Sequence, residues 1–373
     1  MLRKDARRRA LTAAAASLLL LSGPATNEPS SAPLSFPRDH GCHPDAAVEW
    51  WYYTGHLADS GGRAYGFQLT FFRVRDLHLA HFAWTDIGAG TFRYEEKAHL
   101  GLPGIAEAEV GRLRVSNEDW SAEDVEGSHR LRARGSEGEL ELVLRPLKPP
   151  VANGPDGLSR KGPGENEYSH YVSITRLSAA GRMNRRSGST ALSGTAWFDH
   201  EWGPGALPAG AAGWDWFAVQ LSDASELMLY RLRDSAGRAT AFSSGTFVSA
   251  SGEPASVRWQ DVVYEETGSW TSRRSSARYP AGWRIRVLSA GLELSIEPAL
   301  ADQELETPKS TGVTYWEGAC RVSGSRRGRA VEGRAYAELT GYAGRDVPGF
   351  APERPSATAS PEPSPSRAPK APS

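Results

Sequence analysis

Trp50-Trp51-Tyr52-Tyr53-Thr54-Gly55-His56-Leu57, the stretch Asp59-Ser60-Gly61-Gly62 and the run from Tyr65 to Val74 read together as one β-hairpin. Aromatic and β-branched residues suit a pleated surface, and the Asp/Ser/Gly stretch supplies the tight turn. The pattern continues along the chain. Further strands are expected at Ala80–Asp86, Gly111–Val115, His129–Ala133, Glu139–Leu144, Tyr168–Leu177 and Gly194–Phe198. Beyond Gly213 they recur at Trp214–Leu221, Leu227–Arg233, Ala241–Val248, Trp283–Val287, Leu292–Ile296, Tyr315–Val322 and Arg334–Leu339. Short strands separated by turn signals, with little helical periodicity, predict an all-β protein built of antiparallel barrels or sandwiches.

A faint repeat divides the series. Asp39-His40 precedes Glu49-Trp50-Trp51-Tyr52, a turn containing Asp59 and a strand ending at Arg73; Asp199-His200 precedes Trp214-Asp215-Trp216-Phe217, a turn containing Asp223 and a strand ending at Arg231 or Arg233. Two related barrels are therefore expected, at 35–190 and 191–345, with the polar stretch Ala179–Thr190 as linker.

Of 373 residues, 43 are basic and 44 acidic, for a net charge of −1. No basic stripe is present, so nucleic acid is not an expected partner. Twelve Trp and twelve Tyr are ample for cores. Residues 1–25 read as a secretory signal: Arg3, Lys4, Arg7, Arg8 and Arg9 precede an apolar run from Leu11 to Leu21 and the small residues Gly23-Pro24-Ala25. Export is thus expected, to the periplasm or outside, and the paired arginines suit the twin-arginine route. Residues 350–373, rich in Pro, Ala and Ser, read as a disordered tail. Cys42 and Cys320 could form a disulfide in an oxidising compartment or stay free, and the sequence leaves both open.

The blocks Ser35-Phe36-Pro37-Arg38-Asp39-His40-Gly41, His43-Pro44, Glu49-Trp50-Trp51-Tyr52, Gly66–Arg73 and His81-Phe82-Ala83 resemble the opening signature of the AttH/carotenoid 1,2-hydratase (CrtC-like) family. Gly194–Gly203, Gly213–Phe217 and Glu226–Tyr230 look like its central blocks. The resemblance runs from Phe36 to about Gly344. It implies two tandem lipocalin-like antiparallel β-barrels with a pocket for a large apolar ligand, and relatives that hydrate isoprenoid double bonds or catalyse cyclisations. It also implies a catalytic His-x-Trp pair, matched by His200 and Trp202, acting with a downstream Tyr-x-Asp. Tyr230 matches the tyrosine, but Leu232 stands where the acid would be; Asp234 lies two residues on.

Adding water to an unactivated alkene needs a carboxylic acid kept protonated near neutral pH, aromatic faces around the cation, and a base for the water. Asp199-His200-Glu201-Trp202 brings two acids, an imidazole and an indole together, with the acids on one face of a strand and His200 and Trp202 on the other. Asp215, between Trp214 and Trp216, is a second candidate acid. Catalytic candidates are therefore His200, Tyr230, Asp215 and Asp199; ligand-binding candidates are Trp202, Trp214, Trp216, Trp50 and Trp51. A hydrogen-bonded structural corner at Asp199-His200 and core-filling tryptophans are the plainer alternatives. His40-Gly41-Cys42-His43 lacks a second ligand cluster, so no metal and no other cofactor is expected.

Three classes of function remain: a carrier of an isoprenoid or lipid-like small molecule, a hydratase or cyclase acting on an isoprenoid or polyketide C=C, and a structural envelope protein without a ligand. Leu232 at the acid position favours the carrier over the enzyme. A peripheral membrane contact is compatible with such a ligand, and the oligomeric state is not legible.

Overall fold

The computed structural model describes residues 33–344 except 206 and 209. The expected signal at 1–25 and tail at 350–373 lie outside the described residues.

The first sheet begins with β1 (Val48–Ala58), β2 (Ala64–Val74), β3 (Leu77–Asp86) and β4 (Thr91–Leu100). It continues through β5 (Ala106–Ala108), β6 (Arg114–Asn117), β7 (Trp120–Val125), β8 (Ser128–Gly135) and β9 (Gly138–Pro146). The short β10 (Val151–Ala152) and β11 (Leu158–Arg160) lead to two long strands, β12 (Tyr168–Arg185) and β13 (Gly188–Gly203). The second sheet uses β14 (Ala211–Leu221), β15 (Glu226–Asp234), β16 (Ser244–Val248), β17 (Pro254–Arg258) and β18 (Val262–Glu266). After the separate hairpin of β19 (Ser269–Thr271) and β20 (Arg278–Pro280), it resumes with β21 (Trp283–Val287) and β22 (Leu292–Pro298). It ends with β23 (Glu304–Glu306), β24 (Thr314–Arg326) and β25 (Arg329–Leu339). Every pairing is antiparallel, and the described residues hold no α-helix, only single 3₁₀ turns.

The two sheets share one plan. Each starts with a meander of four strands, and its first strand pairs with its last: β4-β3-β2-β1-β13-β12 in one, β17-β16-β15-β14-β25-β24 in the other. The first sheet curls into a nearly closed barrel whose seam is bridged by side chains. Lys97 Nζ reaches Asn117 O at 3.3 Å, His99 Nδ1 lies 2.7 Å from Asn117 Oδ1, and Ser136 N donates to Glu95 at 2.9 Å.

This plan corrects two expectations. Ala179–Thr190 is no linker, because β12 and β13 pair through Arg185↔Gly188 and continue as one hairpin. β13 is held between β1 and β12, so the whole of Gly188–Gly203 belongs to the first sheet, and the crossing to the second follows Gly203. Strands β4 and β7 carry so many charged residues that their alternation was hidden.

Both barrel interiors are filled. Along β1, Trp51, Tyr53 and Leu57 turn inward to join Phe67, Phe71, Phe82, Trp84 and Trp120 in one core. Gly55 leaves room for Phe67, whose ring would lie 2.4 Å from any Cβ placed there. A second core gathers Phe217, Tyr279, Trp283, Ile285 and Trp316. Cys42 lies in the first core and Cys320 in the second, both as free thiols.

Strand alternation turns Trp50, Tyr52, Thr54 and His56 the other way, and a second sheet covers them. Tyr52, Tyr171, Trp197, Trp216, Met228, Tyr230, Leu232 and Tyr336 form a third core between the sheets. A buried ion triad fastens it. Glu226 of β15 accepts from Lys148 Nζ and Arg176 Nε of the first barrel, both at 2.6 Å, and its side chain has no exposed surface. Gln220 adds bonds to the carbonyls of Thr175 (2.8 Å) and Ala196 (2.9 Å). Replacing Glu226 by Ala strands two buried cations, so Glu226→Ala is expected to lower unfolding free energy by about 3–5 kcal/mol in urea titrations.

Candidate functional site

Besides Glu226, the face shared by the two sheets carries four carboxyls. Asp199 and Glu201 project from β13, while Glu317 of β24 and Glu338 of β25 stand directly opposite each other in register. Asp199 accepts from Tyr171 Oη at 2.7 Å, Ser173 Oγ at 2.5 Å and Trp197 Nε1 at 2.7 Å. Trp216 of the second sheet donates to the same Tyr171 Oη at 2.9 Å, so a chain of hydrogen bonds runs across the gap to Asp199. Tyr52 donates to Glu317 across the same gap. Glu201 pairs with Lys161 Nζ at 3.0 Å and accepts from Ser169. The Lys161 ammonium also lies 4.4 Å from the Tyr230 ring centre, and Tyr230 Oη is 3.0 Å from Ser159 Oγ.

Burial decides the charge state of these acids. It pushes Asp199 up to about 7 against the pull of its three donors, with the charge of Glu201 adding to the rise. Glu338 is likewise pushed up to about 7, by burial and by the charges of Glu201 and Asp199, against a hydrogen bond from Trp214. Glu317 is raised well above the carboxylate range by burial and by its register partner Glu338. Two carboxyls paired across strands in an apolar setting do not both ionise readily. Trp50, Trp214 and Glu338 are half-buried, and Leu207 and Phe242 pack against the same core, which marks the solvent-facing edge of this packed inter-sheet cleft.

The sequence-derived candidates divide between three places. Asp199, Tyr230, Trp214, Trp216 and Trp50 meet in this cleft. His200, Trp202 and Trp51 occupy the opposite face of the first sheet, at the end of its barrel. There His200 stacks on Trp51 (4.9 Å between ring centres), and Trp202 lies between His43 (3.9 Å) and His170 (5.3 Å). Burial holds the His200 imidazole below its ordinary pKa, against the pull of Glu49. Asp215 faces the interior end of the second barrel, away from Trp214 and Trp216. It pairs with Arg231 at 2.9 Å and Arg233 at 3.1 Å, and accepts from Tyr264 and Tyr342. Leu232 is buried between the sheets, and Asp234 is tied to Arg238 in a surface turn.

Glu49 and Arg73 are register partners, as are Asp215 and Arg231, so the acid–arginine half of the repeat is one structural lock used twice. The Asp-His half does not correspond: Asp39-His40 sits in a 3₁₀ turn, whereas Asp199-His200 lies mid-strand. Hollows of about 410 Å³ beside Arg73 and His78, and about 480 Å³ beside Glu266 and Tyr342, lie at the locked ends of the two barrels.

Sequence reading missed Glu317, Glu338, Tyr52, Tyr171 and Lys161. The signal for the two glutamates was present: each sits among aromatic and small residues (Tyr315-Trp316-Glu317-Gly318 and Tyr336-Ala337-Glu338) in a strand with an otherwise buried face.

A family model described as AttH-like matches residues 27–342. No curated protein matches the chain. A crystal structure of an AttH-type protein from Nitrosomonas europaea is 34% identical, with a TM-score of 0.77, covering 86% of this chain and 99% of that one. Kievitone hydratase from Nectria haematococca is 15% identical with a TM-score of 0.68, covering 83% and 94%. CghA, solved with Sch210972, is 14% identical with a TM-score of 0.53, covering 81% and 90%. The last two likenesses show a shared fold.

The raised acids make stability depend on pH with a definite sign. Asp199 holds its proton in the folded state up to about pH 7 but loses it near pH 4 when unfolded. Folding therefore binds a proton between those values, and Asp199's contribution to stability falls as pH rises through that window. Denaturant titrations from pH 4 to pH 8 should show a shallower decline in Asp199→Asn than in the parent protein.

Proposed function

The chain belongs to the AttH-like family, and from that premise we propose that it binds an unsaturated, largely apolar small molecule between its two sheets and transfers a proton to a C=C bond there. One feature carries this reading: Asp199 and Glu338, on facing sheets, are both pushed up to about 7 beside a core that contains Trp50, Trp214 and Trp216. Here the acid missing at Leu232 comes from other strands.

In this reading Glu338, at the half-buried rim, gives its proton to the less substituted carbon of the alkene. The tertiary cation that results faces indole rings, which favour positive charge over their faces. Water then adds to the cation and loses a proton to a carboxylate of the cleft, which makes a hydratase; attack by a second C=C of the same molecule gives a cyclised cation that loses a proton to the same carboxylate, which makes a cyclase. Neither route needs a cofactor. Tyr171 and Ser173 hold Asp199 in place, and Lys161 neutralises Glu201 so that one charged acid does not block its neighbours.

Incubating residues 26–373 with a panel of acyclic isoprenoids, followed by mass spectrometry, tests the reading. A product heavier by one water, or a cyclised isomer, is expected. Asp199→Asn and Glu338→Gln should each lower turnover by about 10²-fold or more while ligand still quenches tryptophan fluorescence. Isoprenoid retained unchanged through gel filtration would replace the enzyme by a carrier, and the absence of both product and retention would contradict the reading.

A further inference from the structure

At the end of the first barrel, three nitrogen and oxygen ligands converge from separate parts of the chain. His43 Nδ1 lies 2.8 Å from Glu49 Oε1, His200 Nε2 lies 3.0 Å from the same oxygen, and all three atoms fall within 4.8 Å of one another. His43 comes from the segment before β1, Glu49 from β1 and His200 from β13, so β-pairing of Glu49 and His200's strands brings together what the sequence keeps 151 residues apart.

The hydrogen-bond inventory of this cluster does not close. His200 Nδ1 is 3.1 Å from the Asp39 carbonyl oxygen, which can only accept, so Nδ1 carries the hydrogen. In neutral imidazole that leaves Nε2 as a bare lone pair, aimed at a carboxylate oxygen 3.0 Å away. Two acceptors at that distance repel unless a positive charge lies between them. Glu49 Oε1 also accepts from the His43 backbone N–H at 3.0 Å, and no other donor joins it to His200.

We propose that a divalent first-row metal ion of the zinc class occupies this gap, bound by His43 Nδ1, Glu49 Oε1 and His200 Nε2. Two imidazoles and one carboxylate form a recognised three-ligand zinc set that leaves one position open. The surroundings are those of a supported site. The second ring nitrogen of His200 donates to a backbone carbonyl, which fixes the tautomer that presents Nε2. Arg73 holds the other oxygen of Glu49, Oε2, at 3.1–3.2 Å and aims Oε1 at the histidines. His43 keeps a quarter of its side chain exposed, which gives the ion an entry path and a solvent side for the fourth ligand. The second ligand cluster that the sequence appeared to lack is supplied by Glu49 and His200, and the inference stands apart from the cleft chemistry.

Titration of chelator-stripped protein with Co²⁺ tests it. One equivalent should bind with the visible absorption of a low-coordinate N/O site, and Zn²⁺ should displace it and raise the Tm. In Glu49→Gln, and in the partly exposed His43→Ala that keeps the barrel core intact, affinity should fall at least ten-fold and the Tm shift should vanish. The absence of saturable binding, or binding unchanged in a folded His43→Ala, would overturn the proposal, a proton on His200 Nε2 then filling the gap.

Discussion

Every polar group buried between the two sheets must find its partner there, and much else in the structure follows from that requirement. In a lone barrel the outward face of β1, β12 and β13 would meet water, which would satisfy Tyr52, Tyr171, Ser173, Asp199 and Glu201 without cost. Covered by the second sheet, the same groups face a medium where an unpaired polar atom is expensive. They are met by Trp216, Glu317, Lys161 and backbone carbonyls, and the Glu226 triad fixes the register of the two halves. Such a triad contributes less to net stability than its short distances suggest, because its ions lose their hydration. Its role here is alignment: it holds two sheets so that acids on one oppose aromatic rings on the other.

The same burial sets the chemistry. An acid at the surface is ionised at neutral pH and cannot protonate an alkene. Burial raises the pKa of Asp199, Glu317 and Glu338, and the proximity of another acid adds to each rise. Trp51, Trp84, Trp120 and Trp283 fill the barrel interiors, which makes the two sheets stiff plates on either side of the inter-sheet core.

The all-β class and most strands were legible because period-two alternation and turn residues are local signals. The Trp50–Leu57 run was legible as a strand, and the structure buries both of its faces. What the alternation could not reveal was direction. Asp199 and His200 point to opposite faces in any strand, but whether the acid or the imidazole enters the inter-sheet space depends on which face the second sheet covers, a long-range fact. The domain boundary failed for a related reason. A polar hairpin such as Asn184-Arg185-Arg186-Ser187-Gly188 looks like a linker until its flanking strands are seen to pair. Glu317 and Glu338 were overlooked because each is a single acid in an ordinary strand, and only the register of β24 with β25 makes them a pair. Glu49 gained its meaning from Arg73 and His200, one a hairpin away and the other far along the chain.

The central claim is that carboxyl groups between the sheets stay protonated at neutral pH. Side-chain carboxyl carbons can be followed by ¹³C NMR across a pH titration, with assignments from Asp199→Asn and Glu338→Gln. The account predicts at least two carboxyls with midpoints near pH 7, each missing in its variant. Ionisation of every carboxyl below about pH 5, in the ordinary range for Asp and Glu, would contradict it.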